Sequence, residues 1–126
     1  MSARARVLGL VGAFAAAMFA AACFDPSGPG ACTLEAVAGI TVDLRGEGGL
    51  ALAAEDASGR AVDGARVQDL QPFFDQLVGA WEAAGTYTVT VEKPGFETWV
   101  RQDVRVEEGG CHVVPVRLEA VLSPRP

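Results

Sequence analysis

From Thr86 to Glu92 polar and apolar residues alternate at every step, a period that an extended chain uses and a helix does not. Tyr87, Val89 and Val91 are interleaved with Thr86, Thr88, Thr90 and Glu92. Successive side chains of a strand point to opposite faces, so this stretch offers one face to a core and one to water. Pro94-Gly95 supplies a turn, with Pro fixing φ and Gly free to take the left-handed region. The chain then returns through Phe96 to Glu107. Val100, Val104 and Val106 share one parity and are predicted to face the core. Trp99, Arg101, Asp103, Arg105 and Glu107 share the other and are predicted to face solvent.

The same pattern extends outward. Ile40, Val42 and Leu44 alternate with Thr41 and Asp43, and the glycines between Gly46 and Gly49 break the run. Leu50 and Leu52 resume it, Asp56-Ala57-Ser58-Gly59 reads as a turn, and Asp63-Gly64 as a second one before Ala65 to Val67. Glu107-Glu108-Gly109-Gly110 turns the chain into a last strand from Cys111 to about Val121. That strand places Val114, Val116, Leu118 and Ala120 on one face. Pro115 lies on the opposite parity, and a proline within a strand implies a sheet edge. About seven short strands with Gly-rich turns predict an all-β domain, a β-sandwich.

One segment carries two periods at once. Phe73, Phe74, Leu77, Val78 and Trp81 fall at helical spacing, with Asp69 and Pro72 as a start and Gly85 as a stop. A short helix over residues 72–82 fits this pattern. A strand with apolar residues on both faces, or a packed loop, fits it as well, and in each case the aromatics are expected to cover an end or edge of the sandwich.

The N-terminus reads as an address. Arg4 and Arg6 precede an uncharged apolar run from Val7 to Phe19, the length of a signal-peptide core and short for a membrane span. Ala20, Ala21 and Ala22 lead to Cys23. This triplet ending on Cys resembles the lipobox of bacterial lipoproteins, with Ala20 where the family usually has Leu. The resemblance implies a signal peptide over 1–22 and lipidation of Cys23 as the new N-terminus. It also implies a tether over 23–31, rich in Pro, Gly and Ser, that holds the domain off the membrane. Phe24, not Asp, follows the Cys, which in that family favours the outer membrane of the cell envelope. Plain secretion after an Ala-x-Ala cleavage and an uncleaved anchor are the alternatives. The domain then occupies 32–122, with a Pro-rich tail over 123–126.

Once Cys23 is assigned to lipid, Cys32 and Cys111 remain, an even number in an oxidising compartment. A bridge between them would close most of the domain, with a chain-entropy contribution of about 4–5 kcal/mol. Two free thiols or a metal pair is the alternative. A structural zinc needs about four ligands, whereas the chain has one histidine, His112, and no CxxC. The composition excludes a basic nucleic-acid footprint. The whole chain of 126 residues is at −6, and loss of Arg4 and Arg6 with the leader leaves eight basic residues against 16 acidic ones.

Two patches resemble a known superfamily. One is Asp56-Ala57-Ser58-Gly59-Arg60-Ala61-Val62-Asp63-Gly64-Ala65-Arg66-Val67. The other is Ala84-Gly85-Thr86-Tyr87-Thr88-Val89-Thr90-Val91 with Lys93-Pro94-Gly95-Phe96. Together they are similar to the carboxypeptidase regulatory-like domain, a transthyretin-like (prealbumin-like) sandwich of seven strands. The likeness runs over about residues 37–120. It implies an accessory, adhesion or envelope domain with no shared active site. The chain lacks the several histidines and the C-terminal Tyr-Arg-Gly-Ser of the transthyretin-related hydrolases; its tail reads Ser-Pro-Arg-Pro.

The candidate chemistry is sparse. His112 is a candidate general base or metal ligand, or a half-buried strand histidine beside a disulfide. Ser27, Ser58 and Ser123 lie in linker, turn and tail, poor settings for a nucleophile. Glu55-Asp56 and Glu107-Glu108 are acidic pairs at strand ends, read as solvated turns ahead of calcium sites. Trp99 with Arg101 and Arg105 is the candidate binding surface for a sugar or a partner protein, unless Trp99 merely covers a neighbouring strand with Arg stacked on it. These readings add up to a small lipid-anchored envelope protein, structural or binding in role, without cofactor, metal or catalysis. Its expected partners are the membrane through its anchor and an envelope protein or glycan, as an accessory subunit or carbohydrate-binding module. A small enzyme using His112 is the last alternative.

Overall fold

The computed structural model describes residues 32–126. Cys23, the leader and the tether lie outside the described residues. Eight strands follow one another: β1 (Ala38–Gly46), β2 (Ser58–Asp63), β3 (Arg66–Phe73), β4 (Gln76–Trp81), β5 (Gly85–Glu92), β6 (Trp99–Glu108), β7 (Val113–Val114) and β8 (Val116–Leu122). They form one mixed sheet in the order β7-β6-β5-β2-β3-β4-β1-β8. All pairings are antiparallel except β1 with β8. The sheet curls until it is nearly closed, with β8 packed beside β6. The all-β expectation is met.

Two places in the chain explain the near-closure. Leu70 is the last residue of β3 paired with β2, and Gln71 the first paired with β4, so the sheet turns a corner within one strand. Pro115 separates β7, on the β6 edge, from β8, on the β1 edge. A residue without an N–H ends one ladder and lets the chain cross to the other. The edge position read from Pro115 is found. The single face expected for Val114, Val116, Leu118 and Ala120 is not: Val114 is exposed and Val113 buried, because the break at Pro115 resets the parity.

The core is built from the alternating sets. Ile40, Val42 and Leu44 of β1, Tyr87, Val89 and Val91 of β5, and Val104 and Val106 of β6 are buried together with Leu70, Leu77, Ala120 and Leu122. Leu52 packs against this cluster from the β1–β2 connection, whereas Leu50 is exposed and only Ala51 bridges to Arg45. Tyr87 is buried but its hydroxyl donates to the Ala83 carbonyl at 2.8 Å, which satisfies the one polar atom it brings into the core. Tyr87→Phe removes that bond while keeping the ring. It is expected to cost about 1 kcal/mol in a urea melt, and an unchanged midpoint would show the bond to be energetically idle.

No helix occurs among the described residues, so the helical reading of 72–82 is corrected to a hairpin. β3 runs to Phe73, Phe74 and Asp75 form the turn, and β4 begins at Gln76. Phe74 holds a left-handed φ of 54°. The turn is fastened from both sides, since Leu44 donates to the Asp75 carbonyl at 2.9 Å and Ala54 to the Phe74 carbonyl at 2.8 Å. Helical spacing in the sequence was produced by a strand, a tight turn and a second strand, each adding its own apolar residues.

Candidate functional site

The two cysteines meet. Cys32 and Cys111 form a disulfide with Cα atoms 5.2 Å apart across 79 residues of sequence. Beside it lies a hydrogen-bond chain that the sequence did not disclose. Thr33 Oγ1 is 3.0 Å from His112 Nε2, and His112 Nδ1 is 2.5 Å from Glu82 Oε1. Glu82 also accepts the Val37 N–H at 2.7 Å and the Val113 N–H at 3.2 Å. Partial burial raises the Glu82 carboxyl, but the Val37, His112 and Val113 contacts outweigh that and hold it below the usual carboxylate range. Glu82 thus brackets the start of the domain to the β6–β7 turn, and its own φ of 49° aims it there. Chemically the order hydroxyl, imidazole, carboxylate is that of a base oriented by an acid.

The Trp99 surface is rearranged by a β-bulge. Tyr87 pairs with Val104 but Val89 pairs with Arg101, so β6 carries an extra residue at Gln102–Asp103, where Asp103 has φ 57°. An extra residue exchanges the faces on either side of it. Trp99 and Arg101 therefore lie opposite Val91 and Val89, on the core side, while Arg105 lies opposite Thr86 on the outer side. Trp99 is half-buried against the core with the Arg101 guanidinium 5.3 Å over its ring. Arg105 is 3.5 Å from Glu107. The shared solvent face of Trp99, Arg101 and Arg105 is corrected, and so is the core position of Val100, which the same bulge turns outward to 51% exposure.

The largest exposed aromatic surface lies elsewhere, on the outer face of β1, β4 and β3. Cross-strand partners share a face, which places Gln71, Val78 and Thr41 in one row and Phe73, Gln76 and Asp43 in the next. Thr41, Gln71, Phe73, Gln76 and Val78, with Pro72 and Trp81, line a half-open groove of about 420 Å³, and Asp43 lies beside it. Trp81 is outside for a local reason. It has the strand parity of Leu77 and Gly79, which are buried, but Ala80 takes φ 52° and fills the core in its place. Trp81 is left 53% exposed. A left-handed alanine costs about 1–2 kcal/mol relative to the ordinary strand conformation, and strain of this kind collects where a side chain must be presented. Sequence reasoning missed this face because it treated Phe73 to Trp81 as one element.

Charges flank the groove and cancel. Arg117 grips Asp43 through two bonds of 2.6 and 2.9 Å, and Gln76 donates to Asp43 at 2.7 Å. Arg45 reaches Asp75 at 2.6 Å. The Asp43 carboxyl is held below its ordinary range, chiefly by Arg117, against the desolvation of its buried position and with help from Gln76. Asp56 is lowered by its bond to Lys93. Because these folded-state values are depressed, as is that of Glu82, their contribution is present above the unfolded carboxylate pKa of about 4 and is lost as pH falls through the lowered values. The urea midpoint is expected to drop between pH 6 and pH 3, and a flat profile over that range would contradict it.

Among the described residues no group of three His, Cys, Asp or Glu side chains could hold a metal ion. Asp56 is taken up by Lys93 and Glu107 by Arg105, so each acidic pair has a member already matched to a cation. No described helix is long and apolar enough to cross a membrane. The structure thus defines a disulfide-tied all-β domain, nearly closed, with an aromatic groove on its outer face. No protein-family model matches the chain, and a search of curated proteins finds no significant match.

Proposed function

We infer that the chain is a small lipid-anchored protein of the bacterial cell envelope, most simply of the outer membrane. Its domain is a transthyretin-like, carboxypeptidase regulatory-like module with a structural or binding role and no catalytic one. The observation that carries this reading is the Cys32–Cys111 bridge, set directly after the tether. A disulfide is kept in an oxidising compartment, where a lipobox-like leader would deliver the chain. The partner pairing inside β3, where the sheet turns its corner, supports two layers facing one another as in the sandwich of that superfamily.

The test is the intact mass of the protein extracted from membranes, before and after reduction. Loss of 22 residues with a gain of acyl groups, and a gain of two hydrogens on reduction, supports the reading. An unlipidated mass with free thiols overturns it. The hydrogen-bond chain Thr33–His112–Glu82 favours a second reading, a small hydrolase with His112 as base. It requires that turnover of a p-nitrophenyl ester disappear in His112→Gln, and equal slow turnover in both proteins removes it.

A further inference from the structure

We propose that the groove formed by Trp81, Val78, Thr41, Gln71, Phe73 and Gln76 is a binding site for an uncharged oligosaccharide chain. This rests on the binding-module reading above and gives it a place and a ligand class. Four observations converge. The first is Trp81, held out of the core by the left-handed backbone at Ala80, so that its ring faces solvent at the end of the groove. An indole in that position presents a flat apolar face with a polar edge, the complement of a sugar ring.

The second is the polar content of the groove. Gln71, Gln76 and Thr41 stand among the aromatics and bring amide and hydroxyl groups that donate and accept. Gln76 already donates to Asp43, but a purely apolar occupant would leave the Gln71 amide, the Thr41 hydroxyl and the Gln76 carbonyl desolvated. The third is charge. None of the lining side chains is ionised, and the flanking ions are matched to one another, Asp43 with Arg117 and Arg45 with Asp75. The chain as a whole is at −6. A neutral ligand meets no unpaired charge here, and an anionic lipid surface would meet net repulsion.

The fourth is the backbone. β4 is hydrogen-bonded to β3 on one side and β1 on the other, and β1 is bonded to β4 and β8. Along Gln76–Val78, where β4 is paired on both sides, the N–H and C=O groups are committed to these ladders, so a peptide cannot add to the sheet there as an extra strand. Recognition has to come from side chains, by stacking and by side-chain hydrogen bonds. From the row of Phe73 and Gln76 to Trp81 the strand advances about 16 Å, long enough for several sugar rings in line.

The experiment is a titration of the full chain, purified from membranes, with cellohexaose and with hexa-N-acetylchitohexaose, read by tryptophan fluorescence and by calorimetry. Binding of either sugar with a blue shift of emission is expected. Trp81→Ala should weaken it at least tenfold and Phe73→Ala several-fold, with melting temperatures close to that of the unaltered chain. Trp99→Phe should bind normally. No binding of either sugar, or binding unaffected by both Trp81→Ala and Phe73→Ala, overturns the proposal. So does self-association in sedimentation that Trp81→Ala abolishes, since a second copy would then be the occupant. The mass measurement is independent of this titration. A lipidated, disulfide-bonded protein that ignores both sugars leaves the envelope reading standing and removes only this site.

Discussion

Replacing Cys32 and Cys111 together by serine is expected to lower the melting temperature of the domain by at least about 10 °C. The bridge spans 79 residues, a loop containing β1 to β6. The chain-entropy figure for a loop of this size is about 4–5 kcal/mol, and disulfides typically contribute about 2–4 kcal/mol, mainly by restricting the unfolded chain. In a domain of this length each kcal/mol moves the midpoint by roughly 4–8 °C. Both cysteines are exposed, so serine brings no buried polar group that would inflate the effect. The double variant should melt identically with and without reductant, while the unaltered protein should fall to its level when reduced. An unaltered protein indifferent to reductant would contradict the bridge. The local consequence is separable. Glu82 still holds Val37 and His112 in the double variant, so amide exchange should rise most at residues 32–36 and little at β1.

Leu77→Ala is the second large effect, about 2–5 kcal/mol, the usual range for emptying a buried leucine site. Leu77 is fully buried. It reaches across the core to β2, where a Cβ added at Gly59 would lie 2.9 Å from its Cδ1, so no neighbouring chain is free to fill the hole cheaply. Phe74→Ala, three residues away, should change stability by only a few tenths of a kcal/mol, because Phe74 is 80% exposed at the tip of the turn. A helix over 72–82 would have buried both on one stripe and made both substitutions costly. Comparable losses in the two variants would therefore argue against the hairpin.

The contrast between these two residues shows what a pattern of apolar residues can and cannot convey. Where a strand is regular, as in β5, parity alone identified the buried set, because the pleat sends alternate side chains to one side without help from neighbours. Where the backbone departs from the pleat, parity no longer tells the faces. The extra residue near Asp103 exchanged the faces of Trp99 and Val100, and the left-handed φ at Ala80 exchanged those of Ala80 and Trp81. Neither departure is marked by glycine, the residue that usually advertises positive φ. The turn at Phe74 is of the same kind, and it concealed a hairpin behind helical spacing.

The candidate sites divide along the same line. Cys32 and Cys111 were paired by counting, since a compartment and an even number leave few choices. The Thr33–His112–Glu82 chain joins three segments separated by 30 to 79 residues, and no local spacing records such a meeting. The aromatic groove likewise draws on β1, β3 and β4 at once.

The sequence by itself determined the all-β class, the strands from β5 onward in outline, the turns carried by Gly and Pro, and the edge marked by Pro115, because each depends on near-neighbour stereochemistry. Only the tertiary structure decided the strand order, the near-closure of the sheet at β3, the faces beyond each bulge and the position of Trp81. Those depend on which distant strand supplies the hydrogen bonds and which side chain wins the space in the core, and both are settled between segments rather than within one.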